Sequence, residues 1–275
     1  MSQKQLAIIG NPVSHSFSPK MHNYISKKLG LDYFYSAIEV LDEDFDSAIE
    51  NLTKNNFCGF NITAPYKVRI MDKVDVLSPE AKLFGSVNTC VNKNGKLYGY
   101  STDAPGLYRS LIHEGIDITD KDILFIGAGG VTTPIMIHFF DKGAKSISII
   151  NRTVEKAEKI SEYVEKVCKK KVNVGLDKSH YDIVINTTSV GMHPKTNQSP
   201  VYEIDYIDKN TAVIDLIYNP EKTLFLELCE KKGAKTVNGL GMLIGQGILS
   251  YELFTNTKLP DSIFDDIMKD VFNRK

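Results

Sequence analysis

The sequence contains a strand, a glycine-rich turn and a helix in direct succession, an arrangement that can hold the pyrophosphate of a dinucleotide. The apolar segment Asp122–Gly127 is followed by Ala128-Gly129-Gly130 and then by a helical run to Lys142. Glycines let the backbone turn tightly and approach a phosphate, which the free N–H groups and dipole of the helix N-terminus stabilise. Thr132 occupies the place of the third glycine of the usual fingerprint. The strand–turn–helix–strand context nevertheless favours dinucleotide binding over a structural turn.

The end of the next strand carries basic rather than acidic residues. Ser146–Ile150 is a second apolar run, followed by Asn151, Arg152 and Thr153, with Lys156 one helical turn later. An NAD site usually has Asp or Glu here to accept from the ribose 2′-hydroxyl, whereas a guanidinium can grip a 2′-phosphate. The sequence therefore favours NADP over NAD. The alternative is a solvated helix start, and it is disfavoured because cations there oppose the helix dipole unless an anion binds.

Polar side chains also follow the first and third predicted strands of the N-terminal half. Ser16 and Ser18 offer hydroxyls that both donate and accept hydrogen bonds, which suits a carboxylate or a polyol. Taken alone, Ser18 and Pro19 are better explained as a cap of the next helix, and Lys67 as an ordinary surface lysine. Loops after parallel strands form the ligand-binding edge of an open α/β sheet, so these positions are candidates for a small-molecule site.

Alternating strands and helices must position these loops. In the N-terminal half the apolar pattern predicts three strands with two helices between them, at Leu6–Gly10, Pro19–Leu29, Tyr33–Val40, Asp42–Leu52 and Phe57–Ile62. Two further strands, Ser86–Asn92 and Lys96–Tyr100, flank an Asn-Gly hairpin signal. Alternation predicts parallel pairing and the hairpin adds antiparallel pairing, so the sheet is predicted to be mixed.

The second half has the pattern of a doubly wound nucleotide-binding domain. After the two strands around the glycine-rich turn come a charged amphipathic helix from Thr153 to about Lys171 and strands at Asp182–Asn186 and Ala212–Leu216. The stretch from about Gly241 is mostly helical, and its pattern does not indicate on which half it packs.

The composition is that of an ordinary globular protein. The 275 residues carry 33 Lys plus Arg against 34 Asp plus Glu, a net charge of −1, and 42% of them are hydrophobic. These values argue against disorder and against a whole-chain affinity for nucleic acid or an anionic membrane. No apolar stretch approaches the ~20 residues of a membrane span and no signal peptide is evident, so a cytoplasmic protein is predicted. The 4 cysteines and 6 histidines lack metal-ligand spacing, so no metal site and no disulfide are expected.

A series of motifs along the chain resembles shikimate dehydrogenases. The opening signature of that family is matched by Gly10–Pro19 with His22. The later matches are NxTxPxK at Asn61–Lys67, GAVNT at Gly85–Thr89, GxNTDxxG at Gly99–Gly106, the glycine-rich loop at Gly127–Gly130, NRT at Asn151–Thr153, INATSxGM at Ile185–Met192, DxxYxPxxT with its tyrosine at Tyr218, and GLGMLxxQ at Gly239–Gln246. The resemblance covers essentially the whole chain, and the shared order of the motifs makes coincidence a poor explanation.

The resemblance implies an α/β protein of two domains. A substrate domain with a mixed sheet would comprise residues 1–104 and 240–275, and a Rossmann-like, doubly wound NADP-binding domain would comprise 105–239. The implied activity is the reversible NADPH-dependent reduction of 3-dehydroshikimate to shikimate, a step toward aromatic amino acids. The partner would be this small molecule rather than nucleic acid or a membrane, and the oligomeric state, a homodimer included, is left open.

Motif position also implies roles for individual residues. Lys67 and Asp103 would form the catalytic pair and contact the substrate. The other substrate-binding residues would be Ser16, Ser18, Asn61, Thr63, Asn88, Tyr218 and Gln246. The cofactor would be bound by Gly127, Ala128, Gly129, Gly130, Val131, Asn151, Arg152, Thr153, Lys156, Thr187, Thr188, Ser189, Leu216 and Gly239.

The chemistry of ketone reduction agrees with this assignment. A hydride must reach carbon and a proton must reach the developing alkoxide, and the nicotinamide carries the hydride. The Lys67 ammonium could polarise the carbonyl and donate the proton, while Asp103 could hold the lysine and a neighbouring substrate hydroxyl.

The sequence departs from the family pattern at Ser101, Thr188, Asn238 and Gly247, where Asn, Ala, Asp and Ala are usual. Gly247 inside a helix is expected to weaken it by ~1 kcal/mol relative to Ala.

Three alternatives stay open. A quinate/shikimate dehydrogenase that uses NAD is disfavoured by Arg152 and by the paired Ser16 and Ser18. Another two-domain enzyme, such as a methylenetetrahydrofolate dehydrogenase, is disfavoured by the serine pair. A non-catalytic metabolite-binding regulator on the same fold would be expected to lack Lys67 or Asp103, or to carry a DNA-binding module, and neither is seen in the sequence.

Overall fold

The structure is a computed structural model that describes residues 3–55 and 57–274, and the chain divides into two compact units. Unit 1 comprises the residues up to Gly106 and those from Ile244, and unit 2 comprises Leu107–Leu243. The boundaries predicted after residues 104 and 239 lie close to these. The C-terminal helical stretch, which the pattern alone did not assign, belongs to unit 1 from Ile244 onward.

Unit 1 contains a six-stranded mixed sheet in the order β2-β1-β3-β5-β6-β4. Its strands are β1 (Lys4–Gly10), β2 (Tyr33–Glu39), β3 (Phe57–Ile62), β4 (Val76–Leu77), β5 (Thr89–Lys93) and β6 (Lys96–Tyr100). The helices between them are α1 (Ser18–Leu29), α2 (Phe45–Lys54) and α3 (Pro79–Phe84), with a 3₁₀ turn at Arg69–Asp72. Strand β1 pairs in parallel with β2 and β3, whereas β5 is antiparallel to β3 and β6, so the predicted mixed sheet is confirmed.

Local sequence explains most of these elements, and two of the predicted starts are wrong. Asn94 and Gly95 have positive φ values of 55° and 83°, as a tight hairpin between β5 and β6 requires. Helix α2 begins at Phe45 rather than Asp42, because the Asp44 N–H donates to the Leu41 carbonyl in a preceding turn. Strand β5 begins at Thr89 rather than Ser86.

Unit 2 contains a six-stranded, fully parallel sheet in the order β12-β11-β10-β7-β8-β9. Its first elements are α4 (Asp103–His113, which starts in unit 1), β7 (Asp122–Ile126), α5 (Thr132–Asp141), β8 (Ser146–Ile150), α6 (Val154–Cys168) and β9 (Val172–Val174). The later elements are β10 (Ile183–Asn186), β11 (Ala212–Asp215), α7 (Leu224–Lys231) and β12 (Lys235–Asn238). This strand order is that of a doubly wound sheet, in which the chain changes direction between β7 and β10 and leaves a crevice at their carboxyl ends.

The strands of unit 2 are continuous apolar runs because a parallel sheet is covered on both faces. Helix α6, in contrast, buries only one face, with Ala157, Ser161 and Val164 spaced at helical intervals. It ends at Cys168 rather than near Lys171, because Lys169 adopts a left-handed conformation with a φ of 56°.

Helix α8 (Leu240–Thr255), followed by α9 (Ile263–Asp270), packs closely on its neighbours in unit 1 through two glycines. A side chain on Gly245 would overlap the Gly106 carbonyl oxygen in the first turns of α4. A side chain on Gly247 would overlap the methyl group of Met21 on α1. Gly247 therefore leaves room for a helix contact, which the expectation of a weakened helix did not include.

Candidate active site

Lys67 and Asp103 form an ion pair in unit 1. Lys67 lies in the loop after β3, and its Nζ is 2.6 Å from Oδ2 of Asp103, the first residue of α4. A carboxylate is favourable in the first turn of a helix because of the helix dipole. The lysine side chain is 28% exposed and the aspartate 12%, so the ammonium can still meet a ligand while the carboxylate holds it.

Asn88 holds the other side of the Asp103 carboxylate. Its Nδ2 donates to Asp103 Oδ1 at 2.9 Å, and its Oδ1 accepts from the Thr102 backbone N–H at 2.8 Å. Asn88 itself is 3% exposed. Because both oxygens of Asp103 have charged or amide partners, the position of the carboxylate is well determined.

Asn61 lies inside a network of buried hydroxyls. Its Nδ2 lies 3.0 Å from the Thr89 and Ser250 hydroxyl oxygens, and its Oδ1 accepts from the Tyr35 hydroxyl at 2.7 Å. Ser250 is also 3.1 Å from the Thr102 hydroxyl, which connects the network to the residue beside Asp103. The motifs gave no indication of Tyr35 or Ser250.

The other predicted substrate residues occupy different positions. Ser16 is partly buried, and its hydroxyl accepts from the Ser18 N–H at 3.2 Å. Helix α1 has Phe17 as its N-cap without a side-chain cap, so the interpretation of Ser18 as a capping residue is wrong. Thr63 is partly buried in the loop after β3, and Gln246 is partly buried on α8. Tyr218 lies in unit 2, after β11, and is 37% exposed.

A cavity of about 910 Å³ lies in unit 2 at the carboxyl ends of β7, β8 and β10. Ten of the predicted cofactor residues line it: Gly127, Ala128, Gly129, Asn151, Arg152, Thr153, Lys156, Thr187, Thr188 and Ser189. Gly130, Val131, Leu216 and Gly239 are outside that lining. Another part of the wall includes none of the predicted residues and is formed by Val190, Gln198, Ser199, Pro200 and Val201. Val190 falls within the INATSxGM match, at its unspecified position. Residues Gln198–Val201 belong to a segment without regular secondary structure and outside every matched motif, so no local signal indicated them.

The turn after β7 has the geometry that the glycines predict. Gly127 has a φ of 108°, and Gly130 faces open space where a side chain would otherwise stand. Thr132, in place of the third glycine, donates to the Gly127 carbonyl at 3.2 Å and lies 2.8 Å from the Thr187 hydroxyl. Its hydroxyl therefore joins the start of α5 to the turn after β10, and this explains how the departure from the fingerprint is accommodated.

The charge at the end of β8 fits a cofactor with a 2′-phosphate. Arg152 and Lys156 line the cavity and are exposed, and no acidic residue is part of the lining. Within residues 3–55 and 57–274, neither cation forms an ion pair. Asn151 instead faces inward, where its Oδ1 accepts from the Ala128 N–H at 3.2 Å and its Nδ2 donates to the Thr153 carbonyl at 2.7 Å.

A buried carboxylate supports the cavity wall at Thr188 through Asn186. Asp215 accepts from Asn186 Nδ2 at 2.9 Å and from the Thr223 hydroxyl at 2.6 Å, and burial raises its pKa to about 6. Asn186 in turn accepts from the Thr188 N–H at 2.9 Å and the Thr188 hydroxyl at 2.8 Å. Thr188, where alanine is usual, thus adds a hydrogen bond that alanine could not make.

The remaining departures are also local. Asn238 keeps a capping role, since its Oδ1 accepts from the Leu240 N–H at 3.1 Å. The Ser101 hydroxyl is buried and has no hydrogen-bond partner in the described part of the chain, and nothing in the structure explains that serine. The four cysteines are free, and the described residues contain no group of side chains that could hold a metal ion. Of the helices described, none has the length and apolar character needed to cross a bilayer.

One α/β unit contains a Lys–Asp pair, and the other contains a doubly wound sheet with a glycine-rich turn of the phosphate-binding type. These features are typical of nicotinamide-dependent oxidoreductases. The chain belongs to the shikimate dehydrogenase family. Residues 8–90 match the shikimate dehydrogenase substrate binding domain, 110–220 match shikimate / quinate 5-dehydrogenase, and 239–269 match the shikimate 5'-dehydrogenase C-terminal domain. The family resemblance and the fold class that the motifs predicted are confirmed.

Individual relatives agree over nearly the full length. A shikimate dehydrogenase (NADP(+)) of Methanococcus maripaludis (strain C7) is 43% identical over 99% of this chain and 97% of its own. A crystal structure of a shikimate dehydrogenase in complex with NADP+ is 36% identical, with a TM-score of 0.91 over 98% of this chain and 96% of that chain. The shikimate 5-dehydrogenase of Listeria monocytogenes in complex with shikimate and NAD is also 36% identical, with a TM-score of 0.89 over 97% and 96%.

Proposed function

We propose that this protein catalyses the reversible, NADPH-dependent reduction of 3-dehydroshikimate to shikimate, a step toward the aromatic amino acids. The observation that carries the proposal is the Lys67–Asp103 ion pair braced by Asn88, in a chain of this family. A metabolite-binding regulator would be expected to lack Lys67 or Asp103. The retention of both, in contact, favours an enzyme.

The protein positions the reacting groups and supplies a proton. The bound nicotinamide supplies the hydride to the carbonyl carbon. Lys67 Nζ polarises the carbonyl and donates a proton to its oxygen, so the ketone becomes an alcohol, and the reverse reaction returns that proton to the lysine. Asp103 keeps the ammonium in place and accepts from a neighbouring substrate hydroxyl. The partial exposure of Lys67 lets water restore its proton.

Substrate recognition is assigned to hydroxyl and amide groups. Ser16 and Ser18 suit the carboxylate of the substrate, and Thr63, Asn88 and Gln246 suit the oxygen substituents on its ring. Asn61 and Tyr218 complete the proposed set. The deep burial of Asn61, 5% exposed, indicates that it acts on the substrate through one edge of its amide at most.

NADP is proposed as the cofactor, held by the glycine turn and by Arg152 and Lys156. The absence of a carboxylate in the cavity lining supports NADP, because a carboxylate would repel the 2′-phosphate. NAD stays the alternative, because the Listeria relative is described in complex with shikimate and NAD. The free cysteines agree with a reducing compartment, so we assign the reaction to the cytoplasm, with a homodimer left open and neither nucleic acid nor a membrane as partner.

The first experiment measures initial rates of nicotinamide reduction with shikimate or quinate, each with NADP⁺ or NAD⁺. Activity with shikimate and NADP⁺ well above the other three pairs is expected. Comparable rates with quinate or NAD⁺ would assign the protein to the broader quinate/shikimate class. Folded protein without turnover in all four pairs would contradict the proposed enzyme.

A further inference from the structure

Two buried tyrosines flank one imidazole in unit 1. The His22 ring is stacked on Tyr35, with centroids 4.2 Å apart and planes 5° from parallel, and on Tyr251 at 5.7 Å and 27°. Tyr35 is 1% exposed, and His22 and Tyr251 are both 0% exposed. The two phenol rings therefore have similar surroundings, and they differ mainly in what their hydroxyls contact.

The Tyr35 hydroxyl contacts a residue that the motifs assign to substrate binding. It donates to Asn61 Oδ1 at 2.7 Å. Burial holds the pKa of Tyr35 well above its usual range, so the phenol keeps the proton that it donates. Tyr35 lies on β2 and Asn61 near the end of β3, so this hydrogen bond joins two strands that are not neighbours in the sheet.

Two contacts determine the orientation of the Asn61 amide, the Tyr35 hydroxyl on its oxygen side and the Asn88 carbonyl on its nitrogen side. An amide that turns by half a rotation exchanges its donor and its acceptor with little change of shape. The Tyr35 hydroxyl donates to Asn61, so it fixes the oxygen on that side and the Nδ2 on the other. Nδ2 can then donate to Thr89 and Ser250, each at 3.0 Å.

From Asn61 the hydrogen bonds continue to the catalytic pair. The Thr89 hydroxyl donates to Asn88 Oδ1 at 3.1 Å, and Asn88 Nδ2 donates to Asp103 Oδ1 at 2.9 Å. The Asn88 carbonyl also lies 3.0 Å from Asn61 Nδ2, so the two N–H groups of this amide are shared among three acceptors. A turned Asn61 amide would place its oxygen against that carbonyl, and the resulting repulsion would displace Asn88.

We propose that Tyr35 is a positioning residue of the active site. Its hydroxyl orients Asn61 and, through Asn61 and Asn88, the Asp103 carboxylate that holds Lys67. The proposal rests on the function proposed above, because it concerns the geometry of that substrate site.

Tyr251 provides a matched control on the other side of His22. Its hydroxyl is 2.8 Å from the Ser26 hydroxyl, which donates to the His22 carbonyl at 3.0 Å, and this contact lies outside the Asn61 network. Tyr35→Phe and Tyr251→Phe each remove one buried hydroxyl and keep the ring. Both are expected to lower the melting temperature by similar amounts.

The test compares shikimate kinetics of the two variants. Tyr35→Phe is expected to lower kcat/KM for shikimate by about 10- to 100-fold, the size of small misplacements in an active site, with the KM for NADP⁺ unchanged. Tyr251→Phe is expected to keep the wild-type values, and Ser250→Ala, which removes another link of the network, is expected to behave like Tyr35→Phe. Equal kinetics for the two tyrosine variants would overturn the proposal.

A second measurement separates this proposal from the proposed function. Crystal structures of both variants without ligand should show that Asn88 and Asp103 are displaced in Tyr35→Phe and stay in place in Tyr251→Phe. If wild-type protein turns over no shikimate, the proposed function fails on its own. Unmoved Asn88 and Asp103 in Tyr35→Phe would overturn the positioning role whatever the activity.

Discussion

Lys67 is the single side chain on which the proposed proton transfer depends. Lys67→Ala is expected to lower turnover by about 10²–10⁴, the usual contribution of general acid–base catalysis. Lys73→Ala is a suitable control, because Lys73 also pairs with an aspartate of unit 1, with Nζ 3.2 Å from Asp46 Oδ2. Steady-state kinetics should show near-wild-type turnover for that control. Near-wild-type turnover in Lys67→Ala would remove the lysine from the role.

His22 should make stability depend on pH. Both ring nitrogens are buried without a hydrogen-bond partner in the described part of the chain, and burial lowers the pKa of the imidazole to about 3. An unfolded chain takes up a proton at this residue below about pH 6.5, and the folded protein does not, so stability is present above that pH and is lost as pH falls. From pH 7 to pH 5 the loss from this one group should be about 2 kcal/mol.

Urea unfolding at pH 7 and pH 5 measures this loss. His22→Phe keeps a ring in the stack but has no titrating group, so its unfolding free energy should fall less between the two pH values than that of the wild type. His15→Gln, at an exposed histidine, is the control and should fall as much as the wild type. The same fall in His22→Phe as in the wild type would show that His22 is not the source.

At the scale of elements, helix α8 is placed by glycine contacts of two different kinds. Gly245 faces the backbone of Gly106, which cannot rotate away, whereas Gly247 faces the end of the Met21 side chain, which can. Overpacking a core costs about 1–3 kcal/mol, and the helical preference of alanine over glycine returns about 1 kcal/mol. Gly247→Ala should therefore be nearly neutral or mildly destabilising, and Gly245→Ala clearly more destabilising.

Double variants with Met21→Leu distinguish the two contacts. The shorter leucine should relieve the overlap in Gly247→Ala, so the two changes should be coupled in the free energy of unfolding. Gly245→Ala should show no such coupling, because its neighbour is a carbonyl group. Equal coupling for both glycines would contradict these packing contacts.

At the scale of the whole molecule, cofactor choice appears as a difference in stability. A ligand that binds only folded protein stabilises it by about 2.7 kcal/mol at 100 times its Kd, and at equal concentration the ligand with the lower Kd stabilises it more. NADP⁺ should therefore raise the melting temperature more than NAD⁺ does at equal concentration. Arg152→Ala should remove that difference and raise the KM for NADPH more than it lowers turnover. Lys159 lies on the exposed face of α6 and outside the cavity lining. Lys159→Ala should therefore keep the difference in melting temperature and the KM for NADPH of the wild type. An unchanged KM in Arg152→Ala would contradict the phosphate contact.

Local patterns were sufficient for most of the elements and for the glycine-rich turn after β7. The β3, β6 and β8 bounds agree with the predicted segments, and the glycine turn and Arg152 are where the pattern of unit 2 predicted them. This success has a physical reason, because strand burial, helical periodicity and the turn preferences of glycine are all properties of residues close together in sequence. The start of helix α2 depended on a single backbone turn, and the sequence pattern predicted it wrongly.

The contact between Lys67 and Asp103, and the network that supports it, were decided only by the tertiary structure. Lys67 and Asp103 are 36 residues apart, and Asn61 and Ser250 are 189 apart. Motif resemblance implied a role for the first pair, but no local pattern could indicate that Tyr35 and Ser250 lie against Asn61, or that Gln198–Val201 closes the cavity wall. Such contacts depend on how distant segments pack, through close approaches such as that of Gly245 to Gly106, and packing is a property of the folded chain rather than of neighbouring residues.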